Sequence, residues 1–374
     1  GASRGTREAS ELRDGGAAYG GLGVSRALDS VTSRLAPLLR GRRADDPLAL
    51  DQLIRDCDPS VAKSAIGGNA ATATSLAVWQ AAAVAAGMPL WQYLAGGAEV
   101  TLPMPQIQVF GGGAHAARRI DVQDLLVVPL AARSMAEALR MTADVYRSAG
   151  SIMADRGRIA GTAEEGGWWP AFDSNEEALA TLATAIERAG YRPLEEVGIA
   201  VDVAASEFAR DGGYVLGLEG RRLDRSAWIE QLDAWLARFP IVSIEDPMGQ
   251  DDDAAWSAFG ATRCAALQII GDDFLVTSAA RVREAAASAA CNAVLVKVNQ
   301  RGTVAEAYEA VLAARAAGFA TIVSARSGET EDTTIAHLAV GWNAGQIKVG
   351  SMTRGERTAK WNELLRIEES LGAR

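Results

Sequence analysis

Two histidines and three cysteines in 374 residues leave little of the nitrogen and sulfur from which zinc centres are built. His115 and His337 are the whole histidine complement, and His337 falls in a stretch of helical composition, so a zinc site is excluded. Cys57, Cys264 and Cys291 are odd in number and lack metal-ligand spacing, which argues against a disulfide framework and for buried free thiols in a reducing compartment. No apolar run approaches the ~20 residues that cross a bilayer, and no signal peptide is visible; the Ala-rich stretch 70–88 is interrupted by Gln80 and threonines. Positive charge is also scarce: 37 Lys and Arg against 47 Asp and Glu give a net charge of −10. That balance argues against nucleic acid or an anionic membrane as partner, while a local cluster of Lys, Arg and metal could still hold a small anion. A cytoplasmic protein is expected.

Hydrophobic residues make up 49% of the chain, enough for a large core. The length allows two domains, or one barrel with an attachment. The first hundred residues read as mostly helical, after a mobile glycine-containing loop at the start. Helices are expected at Val24–Leu39, Pro47–Asp56, Ala71–Gly87 and Leu90–Ala95, with Gly96, Gly97, Pro103 and Pro105 marking a linker. We therefore divide the chain into 1–100 and 101–374. Beyond the linker, Ile107–Phe110 and Leu125–Val128 read as strands joined by a connection short enough to favour antiparallel pairing. Helices are expected at Ser134–Arg156 and Asn175–Ala189, and a terminal helix, Arg354–Leu371, is expected to cap the barrel.

Between these lies a repeating pattern. Short β-branched runs with no polar alternation suit strands buried on both faces, and six in succession end on charge. Val197–Val201 leads to Asp202, Ile241–Ile244 to Glu245, Leu267–Ile270 to Asp272, Ala293–Val296 to Lys297, Ala320–Ser324 to Arg326, and Gly345–Ile347 to Lys348. The spacing is about one βα unit or somewhat more. A charge at the exit of a buried strand is costly unless it meets a metal, a substrate or an opposite charge, and barrel enzymes keep their chemistry at that end.

Asp202, Glu245 and Asp272 offer hard oxygen ligands from successive strand ends, a set suited to Mg²⁺; alternatively each caps the helix that follows its strand. Lys297 and Lys348 are candidate general bases, or salt-bridge partners of those carboxylates. Arg326 with Ser327 and Gly328 suits an oxyanion or phosphate clamp. Glu164 and Glu165 stand before Gly166-Gly167-Trp168-Trp169-Pro170. An apolar wall there would suit a carboxyl to general-acid work, and a solvated acidic loop is the other reading.

These residues fall in longer motifs: Val201-Asp202-Val203-Ala204-Ala205-Ser206-Glu207-Phe208, Ser243-Ile244-Glu245-Asp246-Pro247, Gly271-Asp272-Asp273, Leu295-Val296-Lys297-Val298-Asn299-Gln300, Arg326-Ser327-Gly328-Glu329-Thr330-Glu331-Asp332 and Gly345-Gln346-Ile347-Lys348. In that order they resemble the enolase family across essentially the whole chain. The resemblance implies an α/β fold: an enolase-type (β/α)8 barrel with antiparallel first strands, preceded by a smaller α+β domain. The sheet of that domain would precede Gly1, and since the sequence opens without Met, a preceding segment is expected.

By the same resemblance, Asp202, Glu245 and Asp272 would hold one Mg²⁺, and Ser3 would reach a second that binds with substrate. Lys297 would remove the proton α to the substrate carboxylate, and Lys348 with the metals would stabilise the aci-carboxylate. Glu165 would assist loss of the C3 hydroxyl, Arg326 and Ser327 would grip phosphate, and His115 and Gln123 would line the site. A homodimer or higher homo-oligomer is also implied.

Departures from the family pattern gather in one region. Asp124 follows Gln123 where the family has Glu, and Ala325 stands where the family has His before the Arg-Ser pair. Arg4 replaces Thr after Ser3, and Trp168-Trp169 replaces Phe-Ala. The metal and proton-abstraction half is kept, while the half around the leaving hydroxyl and the lid is changed. This asymmetry points to a paralogue acting on a modified phospho-substrate, of the carboxyphosphonoenolpyruvate synthase type, with Arg4 meeting the extra negative charge and Asp124 in a catalytic place. Glycolytic enolase and a non-catalytic scaffold are the alternatives.

Overall fold

The computed structural model describes residues 4–159 and 161–372, with the side chain of His115 outside the described set. No strand occurs among the described residues before Met104. The helix expected at Val24–Leu39 is α1 (Ser25–Ser30), a π turn (Val31–Leu35) and α2 (Ala36–Leu39) in sequence. Pro37, at the start of α2, lacks an N–H and crowds the preceding turn, and the wide π turn absorbs that strain. The layer continues with α3 (Pro47–Cys57), α4 (Gly68–Ala85) and α5 (Leu90–Ala95), which ends at Gly96 in the left-handed conformation. Leu35, Ile54, Ile66, Ala70 and Ala71 form its small core.

A closed barrel follows. β1 (Met104–Gly111) pairs antiparallel with β2 (Asp124–Val128), and β2 antiparallel with β3 (Gly198–Asp202). The other barrel strands are β7 (Ile241–Glu245), β8 (Gln268–Gly271), β9 (Ala293–Val296), β10 (Ala320–Ser324) and β11 (Gln346–Gly350), all parallel, and β11 closes onto β1. Strand residues are buried almost throughout, because side chains fill the barrel on one face and meet helices on the other. That is why the strands read as unbroken apolar runs.

A small sheet of β4 (Ala209–Arg210), β5 (Gly213–Leu216) and β6 (Arg221–Asp224) separates β3 from the next helix, where the sequence reading placed no strand. Its arms are too short to show alternation, and their turns at Asp211-Gly212 and Glu219-Gly220 were the only local signal.

The outer helices are α6 (Met135–Asp155), α7 (Asn175–Arg188), α8 (Arg225–Arg238), α9 (Asp253–Arg263), α10 (Ala279–Ala287), α11 (Val304–Ala316), α12 (Thr334–Gly341) and α13 (Gly355–Ser370). The last was expected to cap the barrel; it packs instead beside α6 and α12 as part of the ring. Glu368 near its end accepts from Met135 and Ala136 N–H at 2.5 and 3.1 Å, closing the first turn of α6.

Asp51 ties the helical layer to the barrel. Fully buried, it accepts from Ser75 Oγ at 2.6 Å, Trp79 Nε1 at 2.9 Å and the Ala305 N–H at 2.9 Å. Ser75 Oγ in turn accepts the Val304 N–H at 2.9 Å, so two donors at the start of α11 find partners in the other layer. Burial pushes the Asp51 carboxyl above its usual range despite these donors. All three cysteines are free; Cys291 is buried as expected, whereas Cys57 and Cys264 are partly exposed. No helix among the described residues is long and apolar enough to cross a membrane.

Candidate active site

The strand-end carboxylates do not cap helices. Asp224 caps α8, Asp252 caps α9 and Ser278 caps α10, each accepting a backbone N–H of the first turn. Asp202, Glu245 and Asp272 are therefore available to the barrel mouth, where they are buried. Asp202 and Glu245 are cross-strand partners on β3 and β7. Asp272 follows β8, held by Asp246: the Asp272 and Asp273 N–H groups donate to the two Asp246 carboxylate oxygens at 2.8 and 2.7 Å.

Both lysines meet these carboxylates. Lys348 Nζ lies 2.5 Å from Asp202 Oδ2, 2.9 Å from Glu245 Oε2 and 3.6 Å from Asp124 Oδ2. Lys297 Nζ lies 2.5 Å from Asp272 Oδ2, whose other oxygen accepts from Gln300 Nε2 at 2.8 Å. Burial works against both ammonium ions, but the carboxylates outweigh it and hold both lysines above their ordinary range, Lys348 well above. Burial likewise works to raise Asp272, and Lys297, Arg326 and Lys348 overcome it and keep it low. Glu245 goes the other way, raised well above normal by burial and by the Asp202 charge. Asp273 is pushed up to about 7 by burial and by Asp272.

No three Asp, Glu, His or Cys side chains among the described residues stand close enough to enclose an ion. The donor set nevertheless fits Mg²⁺. It is all carboxylate oxygen, Glu245 Oε1 is buried with no hydrogen-bond partner among the described residues, and an ammonium group sits between Asp202 and Glu245 where a cation would be stabilised.

Gln123, Asp124, Glu165, Lys297, Ala325, Arg326, Ser327 and Lys348 wall one narrow, polar cavity. A roomier cleft bounded by Trp91, Leu102, Met104 and Met135 contains neither lysine and none of the three strand-end carboxylates. Gln123 Nε2 donates to Asp202 Oδ2 at 3.1 Å. Arg326 Nη1 meets Glu8 Oε2 at 2.8 Å. Arg357, fully buried on α13, donates to the carbonyls of Arg326 and Ser327 and so fixes their loop from behind.

Some expected residues lie elsewhere. Ser3 falls outside the described residues, as does the His115 side chain. Arg4 is half exposed, pairs with Glu11 at 2.9 Å and does not line the cavity. Trp168 stacks on Tyr146 with centroids 4.8 Å apart, and Trp169 Nε1 donates to the Ala116 carbonyl at 2.8 Å. Glu165 is buried, whereas Glu164 is exposed. Sequence reasoning passed over Glu8, Gln108, Asp246 and Arg357; Asp246 sat inside a quoted motif, and the others depend on partners distant in sequence.

Two family matches account for nearly the whole chain. Residues 1–94 match the enolase N-terminal domain, and residues 99–374 match the enolase C-terminal TIM barrel domain. The closed barrel, its antiparallel opening strands and the carboxylate–lysine cluster at the strand ends agree with them, and the chain belongs to the enolase family.

Proposed function

We propose that this enolase-family enzyme abstracts the proton α to the carboxylate of a small anionic substrate resembling 2-phosphoglycerate, with Mg²⁺ bound by Asp202, Glu245 and Asp272. The observation that carries this reading is the meeting of Lys297 and Lys348 with those three carboxylates in one buried cluster beside Arg326 and Ser327. Bound Mg²⁺ would supply Lewis-acid stabilisation of negative charge on the substrate carboxylate. Lys297 takes the proton; a dication bound by Asp272 would offset the carboxylate charge that now holds the Lys297 ammonium above its ordinary range. Lys348 keeps its charge and faces the carboxylate that gains electron density. Arg326 and Ser327 orient the phosphate.

The finer reading is a paralogue of the carboxyphosphonoenolpyruvate synthase type, using the same proton abstraction with a phosphonate co-substrate. Ala325 in the cavity wall and the short Asp124 side chain support it, because both change the half where the C3 hydroxyl would leave. Plain phosphopyruvate hydration is the second reading, favoured by the presence of Asp124 and Glu165 in that wall. To separate them, one would incubate the protein with Mg²⁺ and 2-phosphoglycerate in deuterated water. C2 hydrogen exchange is followed by NMR, phosphoenolpyruvate by ultraviolet absorbance, and products with added phosphonoformate or its nucleotide conjugate by phosphorus NMR. Exchange with slow dehydration and a new phosphonate product supports the paralogue; dehydration at ordinary enolase rates defeats it.

A further inference from the structure

Gln108 belongs to neither the ligand set, the base nor the phosphate grip, yet it is wholly buried between the two carboxyl-bearing segments of the cavity. Its Oε1 accepts the Gly167 N–H at 2.8 Å, and its Nε2 donates to Asp124 Oδ1 at 2.5 Å. The two ends of this amide are not interchangeable: a backbone N–H only donates, and a carboxylate only accepts.

The surroundings are shaped for this side chain. A Cβ on Gly167 would lie 2.5 Å from Gln108 Oε1, so only glycine lets the loop come this close. Gly111, the cross-strand partner of Asp124, also lacks a side chain; a Cβ there would lie 3.3 Å from Gln108 Nε2 and 2.5 Å from the Ala163 Cβ. The partner of Gln108 is Leu126, two residues beyond Asp124, and the ladder shifts register between Gln108 and Phe110, so it is the long arm of the glutamine that reaches the carboxylate. The loop that carries Glu165 is sewn to β1 on either side of this point. The Trp168 N–H donates to the Val109 carbonyl at 2.7 Å, and the Gly111 N–H to the Trp168 carbonyl at 3.1 Å.

We propose that Gln108 is a positioning residue: through one amide it fixes the Asp124 carboxylate and the Glu165-bearing loop at a set spacing around the carbon next to the one that loses its proton. This deepens the reading of the site given above and rests on it. Lys297, on β9's exit, makes no bond to Gln108, and Asp124 Oδ2 stands 3.6 Å from the Lys348 Nζ, beyond hydrogen-bond reach, so the device touches proton abstraction only weakly, through that ammonium.

Three variants test it: Gln108→Leu, Gln108→Asn, and Gln108→Asn combined with Asp124→Glu, which moves one methylene from one arm to the other. The first readout is amide hydrogen exchange by mass spectrometry over residues 161–170, which needs neither substrate nor metal. Gln108→Leu should speed exchange there on the order of tenfold while the rest of the barrel keeps its protection. The second is kinetic, with 2-phosphoglycerate and Mg²⁺. Gln108→Leu and Gln108→Asn should lower kcat for phosphoenolpyruvate formation by about 10²-fold with KM close to that of the unaltered protein. C2 hydrogen exchange should stay within about twofold, since its base is untouched, and the double variant should recover part of the lost kcat. Unaltered protection of the loop overturns the proposal whatever the substrate, and so does C2 exchange that falls in step with kcat. Absence of C2 exchange in the unaltered protein would defeat the proton-abstraction reading instead, leaving loop protection to decide the role of Gln108.

Discussion

Glu8 and Arg326, 318 positions apart in the chain, form an ion pair of 2.8 Å in which both side chains are nearly sealed from solvent. Glu8 also accepts the Gly5 N–H at 2.9 Å, so the opening loop is anchored directly to the guanidinium expected to grip phosphate. A substrate anion and the Glu8 carboxylate therefore compete for the same positive charge. Glu8→Gln should tighten binding of inorganic phosphate on the order of tenfold, because the neutral amide cannot offset that charge. Titration calorimetry with phosphate checks this, and unchanged or weaker binding would show that Glu8 does not hold the clamp in reserve.

Replacing Asp272 by Asn should weaken Mg²⁺ binding on the order of 10²-fold, since it removes one charge from a three-carboxylate set and leaves Lys297 with no anion at 2.5 Å. Calorimetric titration of the variant with MgCl₂ reads this directly. Affinity equal to the unaltered protein would remove Asp272 from the ligand set.

Lys297→Ala should abolish C2 hydrogen exchange of 2-phosphoglycerate in deuterated water while Mg²⁺ affinity changes little. Exchange persisting at the unaltered rate would move the base elsewhere, Lys348 being the remaining ammonium in the cavity.

His337, on α12, has Nε2 3.2 Å from Glu363 Oε1 and Nδ1 buried with no hydrogen-bond partner among the described residues. Burial pushes its imidazole below the usual range, against the pull of Glu363 and Asp332. The folded state thus binds this proton less readily than the unfolded chain. Its contribution is complete above the unfolded value of about 6.5 and is lost as pH falls from there through the lowered folded value. Denaturant midpoints of the unaltered protein and of His337→Gln, measured from pH 7.5 down to 5, should diverge as the unaltered protein loses stability faster. Parallel curves would show that His337 titrates alike in both states.

The barrel was legible because strands buried on both faces leave a crude signal, an apolar run stopped by a charge, and it repeated six times from Asp202 to Lys348. Asp202, Glu245, Asp272 and both lysines were readable from that pattern alone. Whether the carboxylates capped helices was not, since Asp224, Asp252 and Ser278 do that work from positions with no distinguishing mark in the sequence. The partners of Trp168 and Trp169, Tyr146 and the Ala116 carbonyl, were equally unreadable, because a loop's aromatic content says nothing of which way its rings turn. Gln108 and Arg357 were invisible because a single polar residue in an apolar strand or helix acquires meaning only from its partners.

The bonds from Asp51 and Ser75 to the first turn of α11 bear on how the molecule comes apart. A helix whose opening donors are satisfied only by another layer cannot keep its end when that layer leaves, and the freed carboxylate would in turn lose a partner it needs while buried. The wall of the barrel at α11 thus leans on the helical layer for its opening donors, and a barrel cut free at residue 99 would begin with that end of α11 frayed.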